Sequence, residues 1–100
     1  MLTKEEIIRN VEEKRKMLKA LGVKKLVLFG SYAKDEQKKD SDIDFLVEFE
    51  KGRGLFDDVV NTLKVLKDLF GKDIDLVKKH LIRKEFKEYV LEGKQIEAKI

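Results

Sequence analysis

The sequence predicts an α/β fold in which one small sheet is covered by helices. Short apolar runs at 24–29, 42–50 and 73–77 have the length and composition of strands. The segments around them repeat apolar residues at helical spacing. Glycines stand at the junctions and the chain holds no proline, so the alternation is unbroken. Strands that alternate with helices bury their faces as a helix-covered sheet.

Each element has its own signal. Thr3 and Glu6 have capping-box spacing, and Ile7, Ile8, Val11, Leu18 and Leu21 then form one stripe. This predicts a single first helix ending at Gly22. Leu26-Val27-Leu28-Phe29 closes the first strand. A short helix is expected from Ser31, followed by a polar loop from Asp35 to Asp40 and a second strand over 42–50. Gly52-Arg53-Gly54 reads as a turn. Leu55, Phe56, Val59, Val60, Leu63, Leu66, Leu69 and Phe70 make the strongest amphipathic helix, stopped by Gly71. Asp73 to Val77 is a third strand. Ile82, Phe86, Tyr89 and Val90 mark a last helix closed by Gly93, and 95–98 is an edge strand.

One hundred residues make a single domain, 1–100. With no cysteine, disulfides and thiolate zinc sites do not apply. No apolar stretch approaches the roughly 20 residues of a membrane span, and the N-terminus does not read as a signal peptide. A cytoplasmic protein is expected. The net charge is only +3 although 43 % of residues are charged. The lysine pairs are separated by acids, which describes a solvated surface better than a nucleic-acid groove.

Residues 30–50 concentrate the chemistry. Gly30-Ser31 ends an apolar strand, and Asp42 and Asp44 open the next. Alternation along a strand turns both aspartates to one face, with Cα atoms about 6–7 Å apart. Carboxylates at that spacing bind hard divalent cations and can hold two ions about 3.5–4 Å apart. Aspartate is disfavoured inside strands, so Asp44 between Ile43 and Phe45 calls for a reason that a metal supplies. Asp75 is bracketed in the same way by Ile74 and Leu76. Gly30 permits a tight strand-to-helix turn, and Ser31 can either cap the helix or meet a phosphate. Asp73 and Ser41 read as turn residues, Tyr32 as packing, and His80, the only histidine, as a surface residue.

The order Gly30-Ser31-x-Ala33, a polar insert, then Ser41-Asp42-x-Asp44 with Val47 resembles the signature of the DNA polymerase beta-like nucleotidyltransferase superfamily. The short chain resembles its minimal nucleotidyltransferase (MNT) branch, which includes MNT antitoxins. Ile74-Asp75-Leu76-Val77 fits the third acidic element of that superfamily. The resemblance implies a mixed sheet of the polymerase beta-like type, with the strand of Asp75 beside that of Asp42 and Asp44. It implies that Asp42 and Asp44 hold Mg²⁺ on a triphosphate, with Mn²⁺ able to substitute. Asp75 then completes a second metal site and helps activate the attacking hydroxyl. Gly30 and Ser31 cradle the phosphates, with Lys38-Lys39 close by.

By the same resemblance the reaction is AMP transfer from ATP, or from another NTP, to a hydroxyl of a protein. The acceptor is then the HEPN-domain toxin of a type VII toxin–antitoxin pair, which in this family is often encoded in the neighbouring gene. A non-catalytic HEPN-binding antitoxin, and the catalytic subunit of a small-molecule or tRNA nucleotidyltransferase, are the alternatives. So short a chain is expected to take its acceptor from another protein, and a homo-oligomer is compatible with the sequence.

Overall fold

The computed structural model describes residues 2–85, 87–88 and 93–100. Its four strands are β1 (Val23–Phe29), β2 (Ile43–Phe49), β3 (Ile74–Lys78) and β4 (Ile96–Ala98). They form one sheet in the order β3-β2-β1-β4. β1 pairs antiparallel with both β2 and β4, whereas β2 and β3 run parallel. The sheet is therefore mixed, as the resemblance implies. A parallel pair needs a crossover rather than a hairpin, and α4 (Phe56–Phe70) supplies it.

The expected first helix is divided into α1 (Lys4–Glu13) and α2 (Arg15–Ala20). At Lys14 the backbone leaves helical geometry, and its N–H donates to the carbonyl of Val11. This tightened turn still leaves Ile7, Val11 and Leu18 fully buried, so the apolar stripe survives the break. The Thr3 hydroxyl accepts from the Glu6 N–H, and the same hydroxyl donates to the Glu6 carboxylate, which fixes the start of α1. At the far end of α4, Gly71 adopts a left-handed φ of 61° and donates to the Lys67 carbonyl.

The core lies on one face of the sheet. Leu26 and Leu28 of β1, with Ile43, Phe45 and Val47 of β2, pack against Ile7, Val11, Leu18 and Leu66 of the helices. The opposite face carries a small cluster of Phe29 and Leu46, with Val27, Val77 and Ile82 against it. The start of the α4 stripe is not covered: Leu55 is 74 % and Phe56 79 % exposed. Burial deepens further along the helix, where Thr62 and Leu66 are fully buried. Ile82 of the expected last helix packs on the small cluster, while Phe86, Tyr89 and Val90 lie outside the described residues. Among the described residues no helix is long and apolar enough to cross a membrane.

Candidate active site

The parallel register of β2 and β3 sets Asp44 directly against Asp75. Neighbouring strands lie about 4.8 Å apart, so the two carboxylates leave adjacent backbones side by side. Ile43, Phe45, Ile74 and Leu76 turn toward the helices, which sends the intervening Asp44 and Asp75 to the other, largely open face. Asp42 stands one residue before β2 and is exposed, as is Asp75, whereas Asp44 is half-buried.

These three carboxylates act on one another. Burial pushes the Asp44 carboxyl pKa up to about 6, helped by the negative charge of Asp75, then that of Asp42, and by a hydrogen bond with Asp75. An acid displaced by burial together with specific charged neighbours is a common mark of a functional site. Among the described residues no three such side chains already ring an ion-sized point. The donor set is nevertheless all oxygen, and its mutual repulsion is the kind that a hard divalent cation relieves. The aspartates therefore fit such an ion chemically, with Asp44 and Asp75 most closely coupled and Asp42 beside them.

Gly30 is tied to this arrangement. Its φ is 75°, and a Cβ placed there would lie 2.2 Å from Asp44 Oδ2 and 3.1 Å from Asp44 Cγ. Only glycine lets the β1 end accommodate the Asp44 carboxylate and take this backbone conformation. The helix expected from Ser31 is a single turn, α3 (Gly30–Ala33), with Phe29 at the N-cap position and no side-chain cap. Ser31 sits inside that turn, not at its cap, because the turn already includes Gly30 and is capped at Phe29. The Ser31 carbonyl accepts from the N–H groups of Lys34 and Glu36 and folds the loop back.

Other residues take structural places. Ser41 Oγ accepts from the Lys38 N–H at 2.8 Å, closing the turn before Asp42. The Asp73 carbonyl accepts from the Ile43 N–H, which pins the two aspartate strands at their start. Tyr32 is fully buried in the core, so it cannot stack on a ligand. His80 is exposed, on a 3₁₀ turn (Lys79–Leu81) beyond β3. Arg53 forks onto Asp58 at 2.9 Å and donates to the Ala20 carbonyl.

A polar groove of about 490 Å³ adjoins Asp42, lined in part by Lys39, Lys67 and Lys72. Lys72 Nζ donates to the Lys39 carbonyl at 2.9 Å, bridging the loop before β2 to the turn before β3. The order of residues along the chain points to Lys38 and Lys39 near the aspartates but not to Lys67 and Lys72. Their signal is faint: a Gly-Lys step before a strand, and a lysine one helical turn upstream.

The chain matches the family model of the nucleotidyltransferase domain over residues 5–97. A Methanocaldococcus jannaschii protein described as a candidate protein adenylyltransferase is 42% identical over 86 residues, covering 82% of this chain and 91% of that protein. The protein adenylyltransferase MntA of Thermococcus cleftensis is 37% identical over 92 residues, covering 91% of this chain and 92% of its own length. A solved candidate minimal nucleotidyltransferase is similar at TM-score 0.67 and 30% identity, over 87% of this chain and 92% of that one. A toxin–antitoxin crystal structure with AMP-PNP shares the fold at TM-score 0.66 and 22% identity, over 88% of this chain and 72% of that one. The mixed sheet, the paired aspartates and these likenesses agree: the chain belongs to the nucleotidyltransferase domain family and is a nucleotidyltransferase.

Proposed function

We propose that this chain transfers AMP from ATP to a hydroxyl of a protein, and that the acceptor is a HEPN-domain toxin for which it serves as antitoxin. The observation that carries the reading is the register pairing of Asp44 with Asp75, closed against Gly30. Relatives named as protein adenylyltransferases support the protein acceptor, and the toxin–antitoxin neighbour supports the biological setting.

In this reading Asp42, Asp44 and Asp75 hold divalent cations, Mg²⁺ first, with Mn²⁺ as substitute. When bound, two such ions neutralise the triphosphate and stabilise the oxygens entering and leaving phosphorus. Gly30 and Ser31 bring backbone close to the phosphates, and Lys39 and Lys72 add positive charge beside Asp42. The acceptor hydroxyl oxygen forms a bond to the α-phosphorus of ATP while the bond to the bridging oxygen breaks. Pyrophosphate leaves, and the hydroxyl proton passes to the exposed Asp75 carboxylate. The protein contributes alignment and charge rather than covalent chemistry.

The test is incubation with α-labelled ATP, Mg²⁺ and the product of the neighbouring gene, with EDTA and Asp44→Asn controls. Label on the neighbouring protein that disappears in both controls supports the reading. Rapid labelling of a free small molecule, with none on that protein, refutes it.

A further inference from the structure

A second cavity, apart from the groove beside Asp42, does not contain the aspartates. It measures about 590 Å³ and lies between the turn at 53–55 and the segment at 78–82. Val47, Phe49, Leu55 and Ile82 supply apolar walls. Of the four exposed large apolar side chains among the described residues, Leu55 lines it, and Phe56 and Leu81 are chain neighbours of its lining residues Leu55, His80 and Ile82. Leu81 is 64 % exposed. Apolar groups clustered in this way on a surface mark an interaction site rather than chance exposure.

The charge around it is one-sided. Lys79, His80 and Lys87 line the cavity, and Glu48 is the only acid among its described lining residues. Arg53 is neutralised by Asp58, and Lys78 Nζ donates to the Gly54 carbonyl. An apolar centre with a basic rim matches the anatomy of a protein interface and disfavours a basic partner. The site is also placed for catalysis. Glu48 shares the face of Asp44 and follows it on β2 by four residues, about 13 Å along the strand.

We propose that this groove docks an acidic, apolar segment of the acceptor protein. In the AMP-transfer reading, a segment anchored here brings a hydroxyl toward Asp44 and Asp75. The identity of the occupant as acceptor rests on the AMP-transfer reading; the groove and its charge do not. The apolar floor favours protein over nucleic acid, whose phosphates would use only the rim.

The experiment is fluorescence anisotropy without ATP, using the full chain and a labelled peptide of alternating Glu and Leu. A Lys–Leu peptide and a labelled oligo-dT serve as comparisons. The expected result is salt-sensitive binding of the Glu–Leu peptide alone. Leu55→Asp and Leu81→Asp should each weaken it by about tenfold or more. Lys79→Glu with Lys87→Glu should weaken it further, with ATP binding unchanged. Both leucines are exposed, so the variants should melt with the parent. Equal binding of the Lys–Leu peptide, tighter binding of oligo-dT, or self-association abolished by Leu55→Asp would each overturn the proposal. Failure of AMP transfer alongside intact peptide binding would refute the transfer reading and leave the docking site standing.

Discussion

Asp44 and Asp75 are register partners in the one parallel strand pair among the described residues, and Gly30 closes against Asp44 from the end of β1. The chain brings together carboxylates thirty-one positions apart by routing α4 over the core between them. The cost is electrostatic. Asp44 is half-buried beside two other carboxylates, and that is why its pKa rises to about 6. A site strained in this way by its own charge gains from a cation and loses from an empty cleft.

Asp44→Asn is expected to reduce transfer by about a hundredfold or more while stabilising the free protein near neutrality. A folded-state pKa of about 6 lies above the ordinary aspartate value of 3.8, so the folded state binds the proton more tightly. Stability from this group is therefore greatest below about pH 4 and falls as pH rises through about 6. A rise of that size sets a ceiling of about 3 kcal/mol, and solvent screening of a half-exposed group reduces it to about 1. Thermal melts without metal should show the variant above the parent at pH 7 and level with it near pH 4. A lower melting temperature at pH 7 would contradict the repulsion.

Asp75→Asn is expected to bring the Asp44 pKa down toward the ordinary carboxylate range, because it removes the largest charge contribution. Carboxyl-carbon NMR titration of Asp44 in both proteins reads this directly. An unmoved titration would mean that the two carboxylates do not share a site.

Gly30→Ala is expected to cost about 1–3 kcal/mol through its positive φ alone and to disable transfer by displacing the Asp44 carboxylate. A double-mutant cycle with Asp44→Ala separates the two effects. If the clash is with Asp44, part of the stability loss should vanish in the double variant. Simple additivity would place the strain in the backbone only.

Much of this arrangement was legible in the sequence, for stated physical reasons. Strand alternation turns Asp44 and Asp75 to the face opposite Ile43, Phe45, Ile74 and Leu76, and short apolar runs of strand length located both strands. Register and strand order were not legible from periodicity, because they depend on long-range pairing; the resemblance supplied the mixed sheet. The break at Lys14 was hidden because Ile7, Val11 and Leu18 keep one stripe through it. Ser31 looked like a cap because its residue type favours one, whereas Gly30 already starts the turn. The exposure of Leu55 and Phe56 was invisible to a hydrophobic pattern, which reports which face is apolar and not whether anything covers it.

Asp58→Asn is expected to loosen the turn before α4 without touching the aspartate site. Arg53 and the Gly54 N–H hold the Asp58 carboxyl down at about 2. A depressed pKa contributes stability above about pH 4 that is lost as pH falls toward 2. Melting curves should place the variant below the parent at pH 7, with the difference closing near pH 2. A difference that persists at pH 2 would point to packing rather than charge.

The proposed function is transfer of AMP onto a protein at the aspartate site. Its most direct test is intact mass of the neighbouring gene product after co-expression with the parent chain and, separately, with the doubly substituted Asp42→Asn, Asp44→Asn chain. The expected result is a gain of one or more AMP units with the parent and none with the variant. An unmodified neighbour with the parent, or equal modification with both, would contradict it.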